Sequence, residues 1–219
     1  NIDKIDTKII NGYVNDKYNE TRPDIEGYVS VDPEPTNSSG KMTKEDITIV
    51  YWYNKEYKIT TDVIEMKLVD KEGNIITKKG GTISGEDEMP YETVLRGNNN
   101  KKAIEIIPDY GFEIKQIKIN GVTIDYINDN GMIKDGKNVR IPDEYFKNMQ
   151  ENKHIEVEFK RIPGKIIVKN LEDGTDKPLT EDTTGSGYIG EKYRTHPSDL
   201  KYFDVGEEKD PKTWDVVLC

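Results

Sequence analysis

Cysteine is nearly absent from this chain. Cys219 is the only one, so no intrachain disulfide or cysteine metal site can form, and stability must come from packing. No apolar run approaches the roughly 20 residues of a membrane-spanning helix, which argues against membrane insertion. The start at Asn1 carries no signal-peptide pattern and reads as an internal fragment. A basic excess is missing too: the net charge is −10 and the pI about 4.9, with lysines interleaved among acids. Nucleic acid and anionic lipid are therefore excluded as ligands, since phosphate binding needs clustered Lys and Arg. Hydrophobic residues make up 33% against 34% charged, and mean hydropathy is −0.81. Cores must be thin and surface wide, which suits a string of small units better than a deep-pocketed enzyme.

Catalytic and metal-binding patterns are equally scarce. There are two histidines. His154 alternates with Ile155, Val157 and Phe159 as in a half-buried strand, and His196 precedes Pro197 in a turn; neither sits in an H-E-x-x-H or nucleophile-elbow context. Fitting Asn128, Asn130 and Gly131 to an EF-hand loop puts Tyr126 at the first ligand position and Lys137 where the bidentate Glu belongs, so the fit fails. The glycines at Gly80-Gly81 and Gly97 lack a following G-K-[ST] and read as hairpin loops rather than phosphate cradles. Glycan hydrolysis needs two carboxylates flanking a cleft, and acids this dispersed give no reason to choose any pair. The expectation is a non-enzyme with no catalytic, cofactor or metal residues.

What the chain does contain is a duplication. Gly12, Tyr13, Val14, Lys17, Tyr18, Ile25 and Tyr28 reappear as Gly187, Tyr188, Ile189, Lys192, Tyr193, Leu200 and Phe203, each displaced by 175 residues (187 minus 12). One small unit is used twice, which marks a modular array. Three segments follow, at 1–54, 55–161 and 162–219. The β-branched and aromatic run at 46–53 predicts a strand after the Pro- and Gly-punctuated loop at 32–40. In the middle segment, Ile117 and Ile119 before Asn120-Gly121, and Val122 and Ile124 after it, predict a hairpin with a type I′ turn. Further strands are expected at 59–69, 102–107, 154–160 and 165–169. Pro142, Tyr145, Phe146 and Met149 predict one short helix or 3₁₀ turn. The array should be mainly β and elongated.

The segment Gly164-Lys-Ile-Ile-Val-Lys-Asn-Leu-Glu-Asp-Gly174, then Gly187-Tyr-Ile-Gly-Glu-Lys-Tyr193 and Tyr202-Phe-Asp-Val205, resembles the mucin-binding-protein (MucBP) repeat of Gram-positive cell-wall-anchored surface proteins. Residues 1–54 resemble the same repeat without its first strand. The middle segment, with Gly80-Gly-Thr-Ile-Ser-Gly85, Ile107-Pro-Asp-Tyr-Gly-Phe-Glu-Ile114, Ile119-Asn-Gly121 and Lys153-His-Ile-Glu-Val-Glu-Phe159, is similar to a divergent internalin-type B repeat. The resemblance implies α+β, β-grasp-like modules, an extracellular, wall-linked setting and a role in adhesion. Its partners would be host glycoprotein, mucin or extracellular matrix. A structural stalk displaying a distal head is the alternative.

Tyr and Trp stack on sugars and fill interface hot spots, so Trp52, Tyr51 and Tyr53 are the candidate ligand-binding residues, with Trp52 pointing opposite to its neighbours in a strand. A binder should expose an aromatic or apolar patch, whereas a spacer should be evenly polar. Tyr13, Tyr18, Tyr188 and Tyr193, kept in register by the repeat, are expected as core. Each end unit also lacks a strand that the other contains, the counterparts of 165–169 and of 47–53. Open edges of this kind pair with other chains, so the end units are expected either to associate head-to-tail between molecules, with Ile166 and Val168 near Ile47 and Ile49, or to be markedly less ordered than the middle one.

Overall fold

A computed structural model of the protein describes residues 7–31, 33–70, 72–126, 133–135, 137–172, 174–195 and 214–217. His196, the failed EF-hand stretch at 128–131 and Leu200 and Phe203 of the duplication lie outside these residues. The first 52 residues contribute three short strands, β1 (Lys17–Asn19), β2 (Tyr28–Ser30) and β3 (Ser39–Lys41). The middle of the chain supplies β4 (Tyr53–Ile64), β5 (Met66–Val69), β6 (Ile75–Lys78), β7 (Gly81–Ile83), β8 (Glu92–Leu95) and β9 (Ile104–Pro108). It continues with β10 (Phe112–Ile119), β11 (Val122–Ile124), β12 (Ile133–Asp135), β13 (Asn138–Ile141), a 3₁₀ turn (Asp143–Phe146) and β14 (Lys153–Arg161). Then follow β15 (Pro163–Val168), β16 (Thr183–Tyr188), β17 (Lys192–Thr195) and β18 (Trp214–Val217). The molecule is mainly β, as expected. Its accessible surface of 16328 Å² exceeds the about 10,000 Å² that size scaling gives a compact chain of this mass, in keeping with several small sheets.

The middle segment is built on a mixed sheet. Its first and last long strands, β4 and β14, lie parallel at the centre, with Ile59 opposite Lys153 and Val63 opposite Val157. β8 pairs antiparallel with the outer edge of β4 and β10 with that of β14. A parallel central pair flanked by antiparallel partners is the strand order of a β-grasp. The covering layer, however, is a second sheet in the order β12-β13-β9-β7, and among the described residues the 3₁₀ turn is the sole helical element.

Every buried hydrophobic residue described lies between Tyr57 and Phe159. Ile59, Ile117, Ile155 and Val157 come from the first sheet, Ile83, Ile104, Ile106 and Ile141 from the second, and Phe146 and Met149 close one end. The predicted 3₁₀ turn exists because it carries Phe146 into this core. Thr61, the buried polar side chain, is satisfied by donating across the sheets to Ser84 O at 2.8 Å. A bulge between Ile114 and Gln116 adds one residue to β10, so that Ile114 and Ile117, three apart, both face inward.

The hairpin forms as predicted, with Ile119 opposite Val122 and Ile117 opposite Ile124. Asn120 (φ 50°) and Gly121 (φ 78°) supply the two positive φ angles of a type I′ turn. The strand expected at 59–69 is two, broken at Glu65. The strand expected at 46–53 instead starts at Tyr53 and runs unbroken through position 55 to Ile64. Residues 47–52 alternate half-buried and exposed like a strand, but β2 is only three residues long. Beyond Ser30 one backbone bond continues its ladder, from Val31 N–H to Trp52 O at 2.9 Å. The first repeat and the middle segment thus share β4, whose first three residues pair with β2 and the next four with β8.

Candidate functional site

Backbone alternation sorts the candidate aromatics. Thr48, Val50, Trp52 and Asn54 face solvent, while Ile49, Tyr51, Tyr53 and Lys55 are half-buried. Trp52 is 71% exposed and Val50 47%. Val29, 36% exposed, lies opposite Asn54 across the β2–β4 pair, one same-face step from Trp52. This face therefore presents an indole with two valines beside it.

The opposite face explains why Trp52 is held there. The Arg22 guanidinium lies 5.7 Å from the Tyr51 ring centroid and 6.0 Å from that of Tyr53, within cation–π range of both. Its Nη1 donates to Val31 O at 2.9 Å and Nη2 to Pro33 O at 3.4 Å. Nε stands 3.0 Å from Glu34 Oε1 but off the hydrogen-bond line, so that contact is one of charge. Tyr51 donates its hydroxyl to Glu20 O at 3.0 Å and Tyr53 to Pro23 O at 2.7 Å. Burial pushes the Tyr53 hydroxyl above its ordinary range, with the Arg22 charge opposing, so the phenol remains a donor at neutral pH. One cation and two phenols thus fasten the 20–34 loop to the back of residues 51–53. Sequence reasoning missed Arg22; the available signal was scarcity, since only five of the 32 basic residues are arginine.

Along β4 the pattern repeats with Lys55, whose Nζ lies 5.8 Å from the ring centroids of both Tyr28 and Tyr57. A groove of about 600 Å³ opens beside it, lined by Glu26, Glu56, Lys58, Glu151 and Asn152 among others. Mixed charge gives this groove no preference for ligand sign. His154 is exposed, its Nδ1 2.9 Å from Thr60 Oγ1, a surface contact with no acid–base partner. Gly80 and Gly81 are more than loop residues, because an added Cβ would stand 3.0 and 2.5 Å from Phe159.

The duplication survives in three dimensions. Tyr13 N–H donates to Asp16 Oδ2 at 2.8 Å and Asp16 N–H to Tyr13 O at 3.0 Å. Likewise Tyr188 N–H donates to Glu191 Oε2 at 2.9 Å and Glu191 N–H to Tyr188 O at 3.0 Å. The third turn residue has positive φ in each, Asn15 at 74° and Gly190 at 85°, as a type II turn requires. After the turn, β1 pairs with β3 and β17 with β18, at registers one residue apart on the 175-residue scale. Tyr13, Tyr18 and Tyr188 are not core residues, contrary to expectation. Tyr13 is 84% and Tyr188 40% exposed, and Tyr18 lies half-buried over Gly40 with its hydroxyl on Asn37 O. Their recurrence reflects the turn and its contacts. The side chain of Tyr193 lies outside the described residues.

Residues 1–54 and 165–215 match the MucBP domain family. Both ends of the chain thus match the MucBP family, which supports a repeat region of the surface-adhesin type. Across nearly its whole length, the chain is also similar to Internalin J of Listeria monocytogenes. It is 26% identical over 205 residues to the serovar 1/2a protein, covering 92% of this chain and 20% of that one. It is 26% identical over 228 residues to the serotype 4b protein, covering 95% and 25%. The chain thus spans a fifth to a quarter of these relatives. No solved structure matches it. Among the described residues no helix is long and apolar enough to cross a membrane.

Proposed function

We propose that this region lies outside a Gram-positive cell, as part of a wall-attached adhesin, and binds host glycoprotein, mucin or matrix protein without catalysis. Three modules carry it, at 1–54, 55–161 and 162–219. Trp52 is the contact residue, and Tyr51 and Tyr53, clamped by Arg22, form its rigid backing. The observation that carries this reading is the exposed Trp52 face with Val50 and Val29, since a spacer has no use for an indole held out on a fastened stretch of backbone. An indole face stacks on sugar rings and on apolar side chains alike.

The test is a screen of immobilised mucin, glycans and matrix proteins against the chain and its Trp52→Ala variant. Binding that falls at least tenfold on substitution supports the assignment. Equal binding by the variant removes Trp52 from it, and no binding by either protein leaves the stalk. The stalk has its own observation in the bonded joint between β14 and the second MucBP repeat, where Arg161, Tyr188 and Glu191 meet.

A further inference from the structure

The two copies of the repeated turn differ in what covers them. In the second copy the turn is docked. Arg161, the last residue of β14, places its guanidinium carbon 3.8 Å from the Tyr188 ring centroid and pairs through Nη2 with Glu191. Ile162 N–H donates to Gly111 O at 2.9 Å, and Ile189 N–H to Ile162 O at 2.9 Å. The Gly111 site is so close that an added Cβ would stand 2.5 Å from Ile189 O. A cation, a carbonyl and a glycine turn of the middle segment together form a socket for the tyrosine turn of the repeat.

In the first copy the same turn, with the same internal bonds, has no such cover. Tyr13 is 84% exposed where Tyr188 is 40% exposed. Among the described residues no cation stands over the Tyr13 ring and no salt bridge reaches Asp16. Its neighbours Ile9, Ile10 and Val14 are exposed too, at 80%, 42% and 49%. This turn therefore presents an aromatic ring, a carboxylate one turn away and an apolar flank, the features that meet Arg161 in the other copy.

We propose that the Tyr13–Asp16 turn is a docking surface for the arginine-bearing edge of another module of the middle type, in the same polypeptide. The partner's chemistry is read from this chain: a strand ending in arginine to stack on Tyr13 and pair with Asp16, beside a Tyr-Gly turn to meet Val14 and Asn15. A second copy is a poor source, because its Arg161 is already engaged by its own Tyr188 and Glu191. The relatives matched here are four to five times as long as this chain, which leaves room for a further module. Cation stacking and a paired carboxylate at such a joint fix the angle between modules as well as holding them together.

Two experiments test this. The first transplants the free turn into the occupied socket of the 219-residue chain, as Ile189→Val, Gly190→Asn and Glu191→Asp together. A Cβ at Gly190 meets the Tyr110 ring at 3.5 Å, ordinary contact distance, and asparagine already holds a like positive φ at Asn15 of the first copy, so the turn fits. Side-chain NMR of Arg161 should retain the ring-current shift that Tyr188 imposes, calibrated against Tyr188→Ala. A shift collapsing to the Tyr188→Ala value overturns the proposal. The second joins residues 1–186 to residues 12–219, which keeps the repeat register and places Tyr13 after a middle segment. The nitration rate of the second Tyr13, the one that follows a middle segment, should fall several-fold against Tyr13 of the parent chain, and Arg161→Ala in the first middle segment should restore it. An unchanged rate in the longer chain overturns the proposal, as does concentration-dependent protection of Tyr13 in the parent chain, which would make the partner a second copy.

Discussion

Phe159 closes over Gly81 so tightly that a β-carbon there would lie 2.5 Å from the ring's Cζ and 2.7 Å from Ile107 O. Phe159 is 1% exposed and cannot swing into solvent, while Ile107 O belongs to the backbone of β9. Neither neighbour can yield without shifting the two sheets apart. Gly81→Ala should therefore destabilise the middle segment by about 1–3 kcal/mol, the usual cost of overpacking a filled core. Urea unfolding checks it, and a change below about 0.5 kcal/mol would show that the ring adapts.

The Asn120-Gly121 turn separates two contributions that the sequence merges. Gly121 supplies positive φ with open space around it, so Gly121→Ala costs backbone strain alone, about 1 kcal/mol. Asn120 supplies positive φ and also binds the neighbouring strand. Its Oδ1 accepts from His154 N–H at 2.8 Å and its Nδ2 donates to Asn152 O at 2.9 Å. Asn120→Gly keeps the turn type but loses both bonds, for about 1–3 kcal/mol. Denaturation of the two variants should rank Asn120→Gly at least as costly as Gly121→Ala. The reverse order would make the turn, not the side chain, the anchor.

Local signals were the legible ones. The Asn-Gly pair, the alternation around it, the Phe146 turn and the 175-residue duplication all lie within a few residues of their cause. The second sheet was not legible, because β7 and β13 are too short for periodicity to mark them. They exist because β9 lies between them. The true start of β4 depends on how far β2 reaches, which residues 46–53 do not encode. At the candidate site, Trp52 and its direction followed from strand alternation. Its clamp did not, because Arg22 meets Tyr51 and Tyr53 only through the folding back of a long loop. The repeat led to the wrong expectation for Tyr13, since fixed register preserves docking positions as well as core positions.

Acid should weaken the middle segment partly through Glu158. The Lys115 ammonium bonded to its carboxylate at 2.6 Å, with a bond from Gln116 Nε2, holds the Glu158 carboxyl below the usual range against the opposing effect of burial. A carboxylate with a depressed folded pKa contributes stability above its unfolded value, about 4.3 for Glu. That contribution is lost as pH falls through the lower folded value. Glu158→Gln should therefore lose stability at pH 7 and show a flatter decline below about pH 4.3 than the parent protein. Thermal unfolding as a function of pH measures both, and parallel acid limbs would remove Glu158 from the account.

Arg22 should control how Trp52 is presented without controlling whether the protein folds. Its side chain is only 8% exposed, yet among the described residues its hydrogen bonds, ion pair and ring contacts go to Val31, Pro33, Glu34, Tyr51 and Tyr53, and the buried core begins at Tyr57. Arg22→Gln removes the charge over both tyrosine rings and the pairing with Glu34, and a shorter planar amide cannot span Val31 O and Pro33 O together. The 20–34 loop should then loosen from the strand, exposing the Val31 N–H to Trp52 O bond to exchange. Hydrogen exchange at Val31 should accelerate by about tenfold or more, as loss of about 1.4 kcal/mol of local protection would give. Protection of Ile59, Val157 and Ile117 should be unchanged. If the Trp52 face is the binding surface, the same variant should weaken ligand capture less than Trp52→Ala does, because the indole remains while its orientation is freed. Equal exchange at Val31 in both proteins would show that Tyr51 and Tyr53 hold the loop through their hydroxyls alone.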